Sequence, residues 1–349
     1  MICGAGIFLY TLSRTQTASP EVVEPVHLTG VSKLEHETGG AIKKKAPPKK
    51  PVTLIAVGDI MLSRDVDTFM KKYGGYDYPY EKVRSHLQSA DITFGNLETP
   101  LTPGRTILTE EMSFRADVEN AEALKDAGFS ILSLANNHTP NFGDQGLYDT
   151  FEYLTKAKIK YVGAGKESGE AHKPQYIKKN GYAFAFLAYN DTDVVPSSYG
   201  AGSSEPGTAL MDIETMETSV KKAKKDADFV IVSMHSGTEY VQYPNTSQAS
   251  FAEAAIDAGA ELVIGHHPHV VQTVDKYKGK YIIYSLGNFI FDQAWSLNTQ
   301  QGMTVKIRFD NDEVSKISFR PIQIYSWCQP DFLEGSAGDA VLARLEFDD

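Results

Sequence analysis

Residues that can ligate a metal or move a proton recur in this sequence at the ends of short apolar runs. Asp59 closes TLIAVGD, and Asn96 and Glu98 close DITFGNLE. Asn136, Asn137 and His138 follow SILSLA. His235 ends FVIVSMH, with Glu239 four residues on. His266, His267 and His269 end ELVIGHHPH, and Asn288 follows YIIYSLG. Taken singly, each has an ordinary explanation. Aspartate and asparagine cap helices and build turns, and a lone histidine at a strand end is more often a satisfied structural side chain. The histidine group differs, because three of the chain's nine histidines fall within four residues directly after a buried-looking strand. Imidazoles two apart in an extended segment point to the same side and can address one ion or one substrate atom.

The donor types limit the ion. Carboxylate, carboxamide and imidazole without thiolate suit Mn²⁺, Fe or Zn²⁺. One or two such divalent ions are expected where Asp59, Glu98, Asn137 and His235 join the histidine group. Two ions roughly 3.5–4 Å apart would suit hydrolysis, polarising a phosphoryl oxygen and acidifying a water. His138, adjacent to Asn137, is the catalytic candidate, able to protonate a leaving group.

Such convergence requires elements that end together. Apolar runs alternate with helical patterns from Val52 onward, which predicts α/β layering. Strands are expected at Thr53–Gly58, Asp91–Asn96, Ser130–Ala135, Tyr182–Tyr189, Phe229–His235, Glu261–His266 and Tyr281–Gly287. An antiparallel pair is expected to turn at Asn311–Asp312. Helices are expected at Glu119–Ala127, Leu147–Lys156, Asp212–Asp226 and Ser247–Ala258. In open α/β sheets the carboxyl ends of strands carry the ligand crevice, which is where these residues fall.

The remaining composition narrows the function classes. The chain has 349 residues, 42% hydrophobic and 23% charged, so it is neither wholly disordered nor a polytopic membrane protein. With 34 basic and 45 acidic side chains its net charge is −11, which argues against a nucleic-acid partner. Its two cysteines exclude a disulfide framework and a thiolate zinc site. Residues 1–12 are apolar but shorter than the roughly 20 residues of a membrane span. They read as a truncated signal-anchor, a short signal segment or a plain apolar start. Residues 13–51 read as a flexible linker, residues 52–326 as the globular domain, and residues 327–349 as an acidic extension that caps the sheet or trails off. A tethered domain outside the cytoplasm, membrane-anchored or secreted, is the expected location.

The segments GDIML, GNLETPL, SLANNHTPNFGDQGL, SMHSGTEY, GAELVIGHHPHVVQ and YSLGNFIFD resemble the CapA family of poly-γ-glutamate capsule biosynthesis proteins, in the calcineurin-like metallophosphoesterase superfamily. The resemblance covers about residues 53–324. It implies a four-layer α/β/β/α sandwich of the metallo-dependent phosphatase type, a bacterial protein, and a capsule polymer or its synthase complex at the membrane as partner. It also implies roles. Asp59 resembles the first-motif aspartate, Glu98 or Asn96 the bridging position, and Asn137 a second-metal ligand with His138 as its catalytic neighbour. His235 resembles the isolated strand-end ligand, and His267 with His269 the closing pair. His266, Asn96, Asn136, Glu239 and Asn288 would support the ligands or touch substrate. The sequence departs from the superfamily pattern at Ile60-Met61, where Asp-x-His is usual, and at Asn96, where aspartate is usual. A phosphoesterase unrelated to capsule and a non-catalytic polyanion-binding scaffold are the competing readings. Arg64, Arg105 and Arg115 are the local cations near the first two motifs.

Overall fold

The structure is a computed structural model and describes residues 48–347; the readings for residues 1–12 and most of the linker lie outside them. Strand β1 (Val52–Ile60) is followed by helix α1 (Arg64–Tyr73), the short α2 (Arg84–Leu87), β2 (Ile92–Leu97), α3 (Asn120–Ala127), β3 (Ile131–Ser133), α4 (Gly143–Lys156) and β4 (Lys160–Val162). Next come β5 (Ala164–Gly165), α5 (Ser168–Ala171), β6 (Gln175–Lys179), β7 (Tyr182–Asn190), β8 (Gly207–Thr208), α6 (Ile213–Ala223), β9 (Phe229–His235), α7 (Thr246–Ala258) and β10 (Leu262–His266). The later part forms β11 (Val274–Tyr277), β12 (Lys280–Ile283), β13 (Asn288–Ile290), α8 (Leu297–Gln300), β14 (Gln301–Asp310), β15 (Glu313–Tyr325), β16 (Gln329–Phe332) and α9 (Gly335–Leu342).

Two sheets stack. One runs β16-β15-β14-β1-β2-β3-β4, with β13 also paired to β1; the other runs β11-β12-β10-β9-β7-β6. The strands are apolar runs because both of their faces are buried. On β1, Val52, Leu54 and Ala56 face the second sheet and pack with Phe94, Phe184, Phe229 and Ile264, whereas Ile55 and Val57 face helices α1, α3 and α4. The outer face of the second sheet packs Val230, Val232 and Val263 against Met216 and Val220 of α6 and Phe251 and Ala255 of α7. The three cores make four layers, α/β/β/α, as the sequence resemblance implied.

Parallel pairing aligns the ends that matter. Strands β1, β2, β3 and β4 run parallel, as do β7, β9, β10 and β12. Their carboxyl ends therefore emerge at one rim. Gly58 is needed there: a Cβ on it would lie 1.8 Å from the Gly287 carbonyl oxygen, which accepts the Asp59 N–H at 3.0 Å. The turn between β14 and β15 falls at Asn311 and Asp312, both at positive φ, as expected for a two-residue hairpin loop.

The run expected as one strand over Tyr281–Gly287 is a regular strand only to Ile283. That part, β12, stays in the second sheet; the chain then turns at Gly287 (φ +67°), and β13, which follows the expected run, joins β1 in the first sheet. Asn288 thus opens a strand of the opposite sheet. Helix α1, which the sequence patterning did not single out, buries Val66 and Met70 beneath the rim. In the segment set apart as an acidic extension, β16 pairs antiparallel with β15, and α9 buries Gly338 and Val341.

Candidate metal centre

The rim brings together most of the side chains that the sequence nominated. Asp59, Asn96, Glu98, Asn136, His235, His266, His267, His269 and Asn288 are all buried, although they come from distant stretches of chain. Two sets of donors have ligand atoms within 4.8 Å of one another: Asp59, Glu98 and His235 form one, and Glu239, His267 and His269 the other.

Asn96 sits at the centre of the first set. Its Nδ2 lies 2.8 Å from Asp59 Oδ1, 3.3 Å from Glu98 Oε2 and 3.3 Å from His235 Nδ1. Its Oδ1 is held from behind by Asn136 Nδ2 at 3.1 Å. Asn136 in turn ties the loop down, donating also to Leu97 O and accepting from the Thr139 N–H and hydroxyl. Asn137 Oδ1 reaches His235 Nε2 at 3.0 Å, so the carboxamide expected to ligate does face the first set.

His267 and His269 converge by a route different from that expected. Strand β10 ends at His266, and both later histidines adopt positive φ, +99° and +58°. A tight turn around Pro268, not strand alternation, brings their rings to 5.9 Å centroid separation. Non-glycine residues in this region are costly and concentrate where a site over-determines the backbone. His267 also packs against His235, 4.7 Å between centroids. His269 Nδ1 pairs with Asn288 Oδ1 at 2.9 Å, and its Nε2 lies 3.9 Å from Glu98 Oε1. His266 turns away between the sheets, spanning Ser233 Oγ and the Val57 carbonyl.

His138 is fixed by two contacts. Asn141 Oδ1 accepts the Phe114 N–H at 2.7 Å, so the same oxygen accepts from His138 Nδ1 at 2.9 Å and leaves the Nε2 lone pair toward Glu98, 4.0 Å away. The ring stacks on Phe114, 3.8 Å between centroids. Asn141 and Phe114 were not singled out in the sequence; the only signal was an asparagine three residues after His138.

Burial and the mutual charges of the cluster set its electrostatics. Burial, reinforced by the Asp59 charge, drives the Glu98 carboxyl well above the usual range. Burial also opposes ionisation of Asp59, but His269 and His266 outweigh it and hold that carboxyl low. Burial works against a charge on His269 too, yet Glu98 and Asp59 raise it to about 9. Burial and the neighbouring imidazoles depress His235 well below its ordinary value and His267 to about 3, and burial depresses His138 to about 4.

Two buried atoms at this rim, Glu98 Oε1 and His267 Nδ1, have no hydrogen-bond partner. Such atoms are rare because an unmet buried polar group costs about 1–3 kcal/mol. A divalent cation accepts electron pairs from both atom types, so the donor set fits one or two such ions. Met61, where the superfamily pattern would place an imidazole, is buried in the apolar core under α1 and offers the site nothing.

The local cations separate. Arg64 is buried in a fork with Asp292, its guanidinium 4.6 Å from the Phe114 ring centroid, at the mouth of the site. Arg115 is buried against Asp117 and the Thr102 carbonyl, and Arg105 pairs with Glu111 at the surface. Above the donors opens a cleft of about 380 Å³, lined by His138, His269, Glu239 and Arg64 together with Tyr240, Trp295 and Trp327.

Comparison with known proteins identifies a family and a fold. A profile described as "Bacterial capsule synthesis protein PGA_cap" matches residues 53–293. The chain is 34% identical over 286 residues to the capsule biosynthesis protein CapA of Bacillus anthracis, covering 78% of this chain and 67% of that one. It is 36% identical over 272 residues to the PGA biosynthesis protein CapA of Bacillus subtilis (strain 168), covering 77% and 70%. Among solved structures, a hypothetical protein from Thermus thermophilus matches with TM-score 0.51 at 12% identity, over 78% of this chain and all of that one. A protein from Staphylococcus aureus described as a candidate 5′-nucleotidase, solved with alpha-ketoglutarate, matches with TM-score 0.50 at 12% identity, over 85% of this chain and 58% of that one. These two likenesses concern the fold.

Proposed function

The chain belongs to the PGA_cap family of bacterial capsule synthesis proteins, the CapA proteins, and from that membership and the donor set we propose that it serves capsule biosynthesis through a divalent-metal hydrolytic centre at the strand ends. The observation that carries this reading is the pair of adjoining donor sets with buried, unpartnered Glu98 Oε1 and His267 Nδ1 between the sheets. Asp59, Glu98 and His235, with Asn137, would hold one Mn, Fe or Zn ion. His267, His269 and Glu239 would hold a second.

Bound there, such ions supply Lewis acidity toward an anionic ester oxygen and toward water. The remaining work falls to protein groups. Asn96 and Asn136 hold the donors in place. His138 presents Nε2 to the same space, fixed by Asn141 and Phe114, so that a proton can be held or delivered at that atom. The same reading puts the protein's work outside the cytoplasm, anchored to the membrane or secreted, with the capsule polymer or its synthase complex as partner. What supports that location is the description of the relatives as capsule biosynthesis proteins; among the described residues no helix is long and apolar enough to cross a membrane.

Elemental analysis of purified protein tests the centre. One or two equivalents of Mn, Fe or Zn are expected, with His267→Ala losing at least one. Protein without metal, whose melting is unchanged by His267→Ala, would overturn the reading. In a screen of phosphate mono- and diesters, His138→Ala is expected to lower turnover by about 10²–10⁴-fold with metal content retained.

A further inference from the structure

The cleft above the metal centre has a wall that the hydrolytic reading does not use. Tyr240, Trp295 and Trp327 line it, 43%, 63% and 39% exposed, and Met112 beside them is 70% exposed. Tyr240 and Trp295 meet edge to face, 4.7 Å between centroids, and Gln293 Nε2 donates to the Tyr240 hydroxyl at 3.3 Å, which fixes the ring. Side chains of this size left open at the mouth of a buried polar site offer apolar faces with hydrogen-bonding edges.

The charges at the mouth point the same way. Apart from the histidines, Arg64 is the only cation among the described residues lining the cleft, and Asp292 already neutralises it. The Glu239 carboxylate adds an acid. An extended polyanion laid across this mouth would meet carboxylates and aromatic faces with no free cation to pair its repeating charges. A single anionic group can reach the metal donors while the uncharged remainder of its molecule rests on the rings. A volume of about 380 Å³ is in the range of small-molecule sites.

Resting on the two-cation reading above, we infer that this site takes a small phosphate ester whose uncharged ring-bearing part, a sugar or a nucleoside, seats against Tyr240, Trp295 and Trp327. Contact with the capsule polymer then belongs to other surfaces.

Both tryptophans of the chain line this cleft, so tryptophan emission reports its occupancy. The test is calorimetry and emission on the full chain loaded with Mn²⁺. The probes are inorganic phosphate, the hydrolysis-resistant phosphonate analogues of glucose 1-phosphate and of AMP, and a γ-linked glutamate decamer. At least one ring-bearing analogue is expected to bind about ten-fold more tightly than inorganic phosphate and to shift the emission. Trp295→Ala should abolish that advantage and Trp295→Tyr should keep it. The glucose and AMP arms distinguish sugar from nucleoside. Equal affinity for phosphate and both analogues, an advantage that survives Trp295→Ala, or competition by the glutamate decamer would overturn the inference while leaving the metal centre standing. A protein that takes up no Mn²⁺ would instead remove the metal reading, and this inference with it.

Discussion

Asn96 carries two amide protons and faces three acceptors: Asp59, Glu98 and the Nδ1 of His235. The excess of lone pairs over protons, with Glu98 Oε1 wholly unmet, is the local signature of a place for a cation. It also makes the asparagine informative. Asn96→Asp would add a third buried carboxylate beside Asp59 and Glu98, so the metal-free protein is expected to lose about 3 kcal/mol of stability. Added Mn²⁺ should restore most of it, because the new charge is then paired. Melting of both proteins with and without chelator checks this; a variant equally stable in both conditions would refute it. That Asn96 stands near the ligands was legible in its spacing from Glu98. That its amide sits among three of the nominated side chains was not, because the register between β1, β2 and β9 is a property of the folded sheets.

At the scale of elements, the site depends on two parallel strand ends that approach their neighbours more closely than any side chain permits. A Cβ on Gly58 would lie 1.8 Å from the Gly287 oxygen, and one on Gly265 would lie 1.9 Å from the Tyr284 oxygen. Gly58→Ala is therefore expected to cost about 3 kcal/mol in urea unfolding and to lower metal content, since the backbone bearing Asp59 must shift. Gly279→Ala, at φ +80° with nothing within 4 Å, is the control and should cost only about 1 kcal/mol from its backbone. A second device ties α1 to the segment before α3. Asp117 accepts from Lys71, Arg115 and Tyr76, at 2.5, 2.7 and 2.9 Å. Burial pushes against its charge, but these partners outweigh burial and hold the carboxyl at about 2. A depressed acid stabilises the fold above its unfolded value, near 4, and the contribution disappears as pH falls from there toward 2. Asp117→Asn should thus cost about 1 kcal/mol at pH 7, with solvent screening taken into account. The gap to wild type should narrow below pH 4 and close as pH approaches 2 in denaturant titrations, and a gap independent of pH would refute the assignment.

For the molecule as a whole, the proposed metal centre would join the two sheets. Asp59, Glu98 and Asn137 come from the first, and His235, His267 and His269 from the second. A cation bound by both stabilises the sandwich against separation of its layers, by about 2.7 kcal/mol at a hundred-fold excess over its dissociation constant. Chelation should therefore lower the melting temperature of the wild-type protein, measured by calorimetry at pH 7. His235→Ala, which removes a donor of the first set only, should melt lower and respond less to chelator than the wild type. A response to chelator undiminished in His235→Ala and in His267→Ala alike would place the stabilising ion elsewhere.

The order of strands and helices, the apolar character of strands buried on both faces, and the chemical types available at their ends follow from the sequence, because periodicity and residue type are local properties of the chain. The identity of the nominated donors was fixed at that level. Several matters were decided only by tertiary packing: the turn that aims His267 and His269 together, the crossing of the chain between sheets at Gly287, the sealing of Met61 in the core, and the placing of Glu239 opposite the histidines. Each depends on contacts between residues tens to hundreds of positions apart. Which of two sheets a strand joins, and which atoms then meet, is set by how the layers bury their faces against one another, and no local pattern records it.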